Sequence, residues 1–89
     1  MGRRGIETLP RQLLEEARAI EVLLSDLEPA PEEMERYWDL SARMITLMIE
    51  IETFAATSRA TSPDNPDYLR LRRSLRGIEG EATELMRTS

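Results

Sequence analysis

The apolar residues of this chain recur at steps of three and four through most of its length. Leu13, Ala17, Ile20, Leu24 and Leu27 form one such series, the seam of a single helix face. Tyr37, Leu40, Met44, Leu47, Ile51 and Phe54 repeat the rhythm, and so do Tyr68, Leu71, Leu75, Ile78, Ala82 and Leu85. The spacing predicts three helices, over about residues 9–28, 31–60 and 66–87.

The breaks between the seams carry turn chemistry. In Glu28-Pro29-Ala30-Pro31 each proline drives its predecessor out of the α region. Pro31 then suits the first position of a helix, with Glu32 and Glu33 at the positive end of its dipole. So short a break predicts an antiparallel hairpin that faces Leu24 to Tyr37, Ile20 to Leu40, Ala17 to Met44 and Leu13 to Leu47. Residues 60–66, Ala-Thr-Ser-Pro-Asp-Asn-Pro, form the second break. Asn65 is the expected N-cap of the third helix, with Pro66 first and Asp67 in the opening turn. Thr8 is the expected cap of the first helix, and residues 1–7 a frayed tail. The expected fold is all-α: one domain over residues 1–89, an antiparallel three-helix bundle or extended helical hairpin, completed by oligomerisation.

The second helix is too apolar for one partner. Between Met44 and Ile51 only Thr46 and Glu50 are polar. Its apolar arc is about 220° wide, against about 100° or more for an ordinary surface helix. Beyond the first seam it carries Met34, Trp38, Ile45, Met48, Ile49 and Ala56. A third helix covers part of this surplus if the second is the centre of a monomeric bundle. The rest reads as an interface with a second copy or with another helical protein, since soluble monomers rarely expose so large an apolar patch. Trp38 is the expected anchor, because Trp is enriched at interface centres.

Composition bears on that choice. The chain has 89 residues, no Cys, no His and no Lys; all twelve basic residues are Arg. Disulfides, thiol chemistry and zinc ribbons need Cys, and imidazole ligands and triads need His. A core of this size rarely supplies more than about 3–5 kcal/mol without a staple. Oligomerisation is the staple left open. No apolar run follows the basic start before Pro10, so no signal peptide is expected, and no run is long enough to span a membrane. A cytoplasmic location is expected.

Two further features are unusual. Arg70, Arg72, Arg73 and Arg76 lie within seven residues at the start of the third helix, and Glu79, Glu81 and Glu84 follow. That order opposes the helix dipole. A hairpin turning near residue 63 sets Arg76 against Glu50 and Arg73 against Glu52, so inter-helix ion pairing is the simplest account. Contact with an acidic partner comes next, then nucleic acid, against which the net charge of −5 tells. Gly77 and Gly80 weaken the same helix by about 1 kcal/mol each against Ala, which predicts close helix contact there.

Little catalytic equipment remains. Glu15-Glu16 and Glu32-Glu33-Glu35 fall on expected outer faces or at a helix start, and without His they make no di-iron motif. In size and helical class the chain is similar to small all-helical chorismate mutases, intertwined dimers that use Arg with a Lys. Arg18 and Arg43 are the residues that resemblance would employ, but the chain has no Lys. Pro63-Asp64-Asn65-Pro66 and the helix after it resemble the hairpin turn of type III secretion needle subunits, a pattern that turn chemistry alone also produces. The expectation is a non-enzymatic interaction protein without cofactor or metal: a homodimer, adaptor, small chaperone or subunit of a larger complex. A nucleic-acid-associated regulator and a small helical enzyme are the alternatives.

Overall fold

Hydrophobic spacing and turn chemistry do build three helices. The computed structural model describes residues 9–58 and 63–88 of the chain. Helix α1 spans Leu9–Asp26, α2 spans Met34–Thr57 and α3 spans Pro66–Thr88. A single 3-10 turn, Pro31–Glu33, leads into α2. Among the described residues there is no strand. The expected tail and the Thr8 cap lie outside them.

Each helix packs against the other two. The core draws Leu13, Ala17, Ile20 and Leu24 from α1, and Leu40, Met44, Leu47, Met48, Ile51 and Phe54 from α2. From α3 it takes Leu71, Leu75, Ile78, Ala82 and Leu85. All but Met48 belong to the three seams. Among the described residues no polar or charged side chain is buried, so apolar burial and packing hold the bundle.

The ends of the helices follow their local chemistry. Helix α1 stops two residues short of its expected end. Leu27 turns into the core, and its N–H tightens onto the Leu24 carbonyl at 3.2 Å. At α2 the Glu33 N–H donates to the Ala30 carbonyl at 2.8 Å, with Glu32 and Glu33 in the first turn. Ser58 is extended, so α2 ends at Thr57 rather than near residue 60. Asn65 caps α3 as expected: the Tyr68 N–H donates to its Oδ1 at 3.0 Å.

The hairpin register also holds at its turn. The Tyr37 hydroxyl donates to the Leu24 carbonyl at 3.0 Å, the pairing that the two seams predict. Helix α3 runs back along α2, and three ion pairs mark its register. Arg36 meets Glu84 at 2.8 Å, Arg43 meets Glu81 at 2.6 Å, and Arg70 meets Glu50 at 3.1 Å.

Candidate functional site: the outer face of helix α2

A helix advances about 100° per residue, so residues four, seven and eleven apart fall close to one line. Met34, Trp38, Ile45 and Ile49 lie within an arc of about 60° on that count, and within about 22 Å of axial length. They are 38%, 63%, 60% and 59% exposed. Ala56, also exposed, extends the same line. The buried seam of α2 lies on the opposite side. Five of the six surplus positions therefore form one apolar stripe on the outside of the bundle.

Met48 is the exception. It is only 7% exposed and belongs to the core. It stands at the border between the two faces, about 40° around the helix from buried Met44 and about 40° from exposed Met34. Period alone puts it at the edge of the seam, on the side away from the flank of α2 whose Arg36, Arg43 and Glu50 meet α3.

Trp38 is presented by its neighbour. The Tyr37 ring stands edge-on to the indole, with centroids 5.5 Å apart and planes at 67°. Tyr37 is itself partly buried and tied to α1 through Leu24. The indole is thus held over a fixed part of the scaffold while most of its surface faces solvent. Among the described residues three other large apolar side chains are exposed: Val22 on α1, and Leu69 and Met86 on α3. None of them continues the α2 stripe, and scattered apolar residues are ordinary on a protein surface.

The charges of α2 are sorted by face. Arg36 and Arg43 turn toward α3 and meet its acidic second half. The hydrogen bond to Glu84 raises the Arg36 pKa against an opposing loss of solvation, and the charges of Glu84, Glu33 and Glu81 add to the rise. Asp39 lies 3.6 Å from Arg43, and Glu50 is held by Arg70. Glu35, beside the stripe, and Glu52, at its other edge in line with Met34, are exposed and make no ion pair among the described residues.

The arginine run is used differently from the expectation. Arg70, not Arg76, meets Glu50. Helical spacing sets Arg70, Gly77, Glu81 and Glu84 on the flank of α3 that turns to α2, and Arg73 and Arg76 fall outside it. Arg72, Arg73 and Arg76 are exposed and form no ion pair among the described residues. Arg76 instead borders a groove between α1 and α3, beside Glu16 and Glu79. The reversed charge order of α3 is matched by α2: arginine opposes Glu50 at one end, and glutamates oppose Arg36 and Arg43 at the other.

The two glycines give no close contact. A methyl group built on Gly77 or Gly80 would meet nothing within 4 Å. Gly77 instead borders a shallow groove between α2 and α3, floored by Leu47 and Ile78, with Arg43–Glu81 and Arg70–Glu50 along it. Among the described residues no three acidic side chains converge as a metal site would require. No helix among them is long and apolar enough to cross a membrane. No protein-family model, curated protein or solved structure matches the chain.

Proposed function

We propose that this protein is a non-enzymatic interaction module whose working surface is the outer face of α2. One observation carries the reading. Met34, Trp38, Ile45 and Ile49 form a continuous exposed stripe, although the three seams already supply a core from all three helices. A stripe of this kind costs solubility and contributes nothing to the bundle, so covering it is where it becomes favourable, at roughly 25 cal/mol per Å² of apolar surface removed from water. The occupant is a helix of another chain or of a second copy. A homodimer, an adaptor, a small chaperone and a subunit of a larger complex all work through such a contact.

The test compares the wild-type chain with a Trp38→Ala/Ile45→Glu variant. Light scattering measures self-association, and capture from the native cell measures binding to other chains. The variant should lose whichever association the wild type shows while keeping its helical circular dichroism. An association that survives both substitutions unchanged would place the working surface elsewhere.

Arg72, Arg73 and Arg76 support a second reading, contact with an anionic partner, because three neighbouring exposed arginines form no ion pair among the described residues. Its test is reversal of Arg72 and Arg76 to Glu. Loss of a salt-sensitive shift with DNA or RNA would support it, and no shift by the wild type would end it.

A further inference from the structure

The stripe has a charge environment as well as a shape. Four of the six charged side chains of α2 are carboxylates, and both arginines, Arg36 and Arg43, are drawn away to α3. Around the exposed stripe, α2 therefore contributes Glu35 and Asp39 on one side, Glu50 beyond them, and Glu52 at the other edge in line with Met34. It contributes no cation. Glu35 and Glu52 are the two that lack an ion pair among the described residues, and they flank the stripe near its two ends. The result is an apolar strip with one unpaired carboxylate at each edge, Glu35 and Glu52, while Asp39 and Glu50 are shared with Arg43 and Arg70.

We infer that the occupant of this face is a cationic amphipathic helix of another protein, with an apolar stripe bordered by Arg or Lys. The inference rests on the proposal that this face is the working surface, and it specifies the partner. A helix laid on the stripe puts its own flanking residues beside Glu35, Asp39 and Glu52. Basic flanks gain charge-assisted contacts there, and acidic flanks meet like charge. The same logic disfavours a second copy of this chain, since its outer α2 face would bring carboxylates against carboxylates. Apolar burial drives the contact, and the bordering charges decide which helix is accepted.

Trp38 makes this directly measurable. It is the chain's one tryptophan, and it stands in the stripe. Its emission shifts to the blue when a partner covers it. The probes are two synthetic helical peptides of roughly 18 residues, with leucine at positions repeating every three and four residues. One carries arginine along both edges of the leucine stripe and the other glutamate. The arginine peptide should shift the Trp38 emission and bind at least about tenfold more tightly than the glutamate peptide, a gap that narrows as salt is raised. A Glu35→Arg/Glu52→Arg variant, with both changes at exposed sites, should reduce or invert that preference while its circular dichroism is retained. Equal binding of both peptides would overturn the charge inference and leave the interaction surface standing. A blue shift of the protein alone that grows with concentration, together with a dimer by sedimentation, would overturn it in favour of a second copy. No shift with either peptide and no self-association would overturn both the inference and the proposed function.

Discussion

The Tyr37 hydroxyl donates to the backbone carbonyl of Leu24, 3.0 Å away and across the hairpin turn. That carbonyl also accepts the Leu27 N–H, so one oxygen at the end of α1 joins the turn to the start of α2. A net contribution of about 0.5–1.5 kcal/mol is usual for such a bond. Tyr37→Phe keeps the ring, its packing and its edge contact with Trp38, and removes only the hydroxyl. The variant should unfold about 4–8 °C lower per kcal/mol lost, as read by thermal circular dichroism. An unchanged midpoint would show that the hydroxyl adds nothing to the turn.

Ile45 and Met48 are one turn apart on α2 and should respond in opposite ways. Met48 is enclosed by the core, whereas Ile45 is 60% exposed. Met48→Ala creates a cavity and should cost about 2–5 kcal/mol in urea unfolding. Ile45→Ala removes atoms already in water and should stay within about 0.5 kcal/mol of the wild type. Similar losses at the two positions would mean that the surface stripe is part of the folding core or is covered in solution.

Met48 also marks the limit of what spacing along the chain determines. The seams name nearly the whole core, because a three-and-four period is a property of one helix and needs no knowledge of its neighbours. The Tyr37–Leu24 pairing was legible too, because a short proline break leaves the hairpin little choice of register. Met48 stands about 40° from buried Met44 and about 40° from exposed Met34, so period alone does not say which face it joins. Where α3 packs is not set by period either, because it depends on a longer connection whose geometry its residue types do not determine. The same uncertainty misassigned the arginines. Summing positions about residue 63 chose Arg76 for Glu50, whereas the flank of α3 that faces α2 carries Arg70. The five exposed members of the stripe were legible because they lie opposite the seam, wherever α3 sits. The sorting of α2's arginines toward α3, which leaves the outer face acidic, was not, since it follows from α3's placement.

The glycines of α3 offer a gain in stability. The helix-weakening cost of Gly77 and Gly80 predicts a close helix contact there, but a methyl group at either position meets nothing within 4 Å. Helical glycine costs about 1 kcal/mol relative to alanine, chiefly through backbone freedom lost on folding. Gly80→Ala should therefore raise stability by about that amount. Chemical denaturation with an unchanged slope measures it, and the chain should remain in the same associated state. A loss of stability would reveal a close approach at that position that the isolated bundle lacks.

Charge order in α3 makes the last prediction. Arginine early and glutamate late is unfavourable for the dipole of an isolated helix, yet each sign meets its opposite on α2: Arg70 on Glu50, Glu81 on Arg43 and Glu84 on Arg36. Every one of these side chains is at least a third exposed, so each pair contributes only about 0–1 kcal/mol and is weakened by salt. Their value lies in alignment, because sliding α3 along α2 would bring like charges together. Arg70→Glu should lower stability by up to about 1 kcal/mol by setting two carboxylates side by side. Adding Glu50→Arg should restore most of the loss, because the pair is re-formed with its signs exchanged. A double-mutant cycle at low and high salt measures the coupling. Failure of the second substitution to rescue the first would show that Arg70 and Glu50 do not interact in solution.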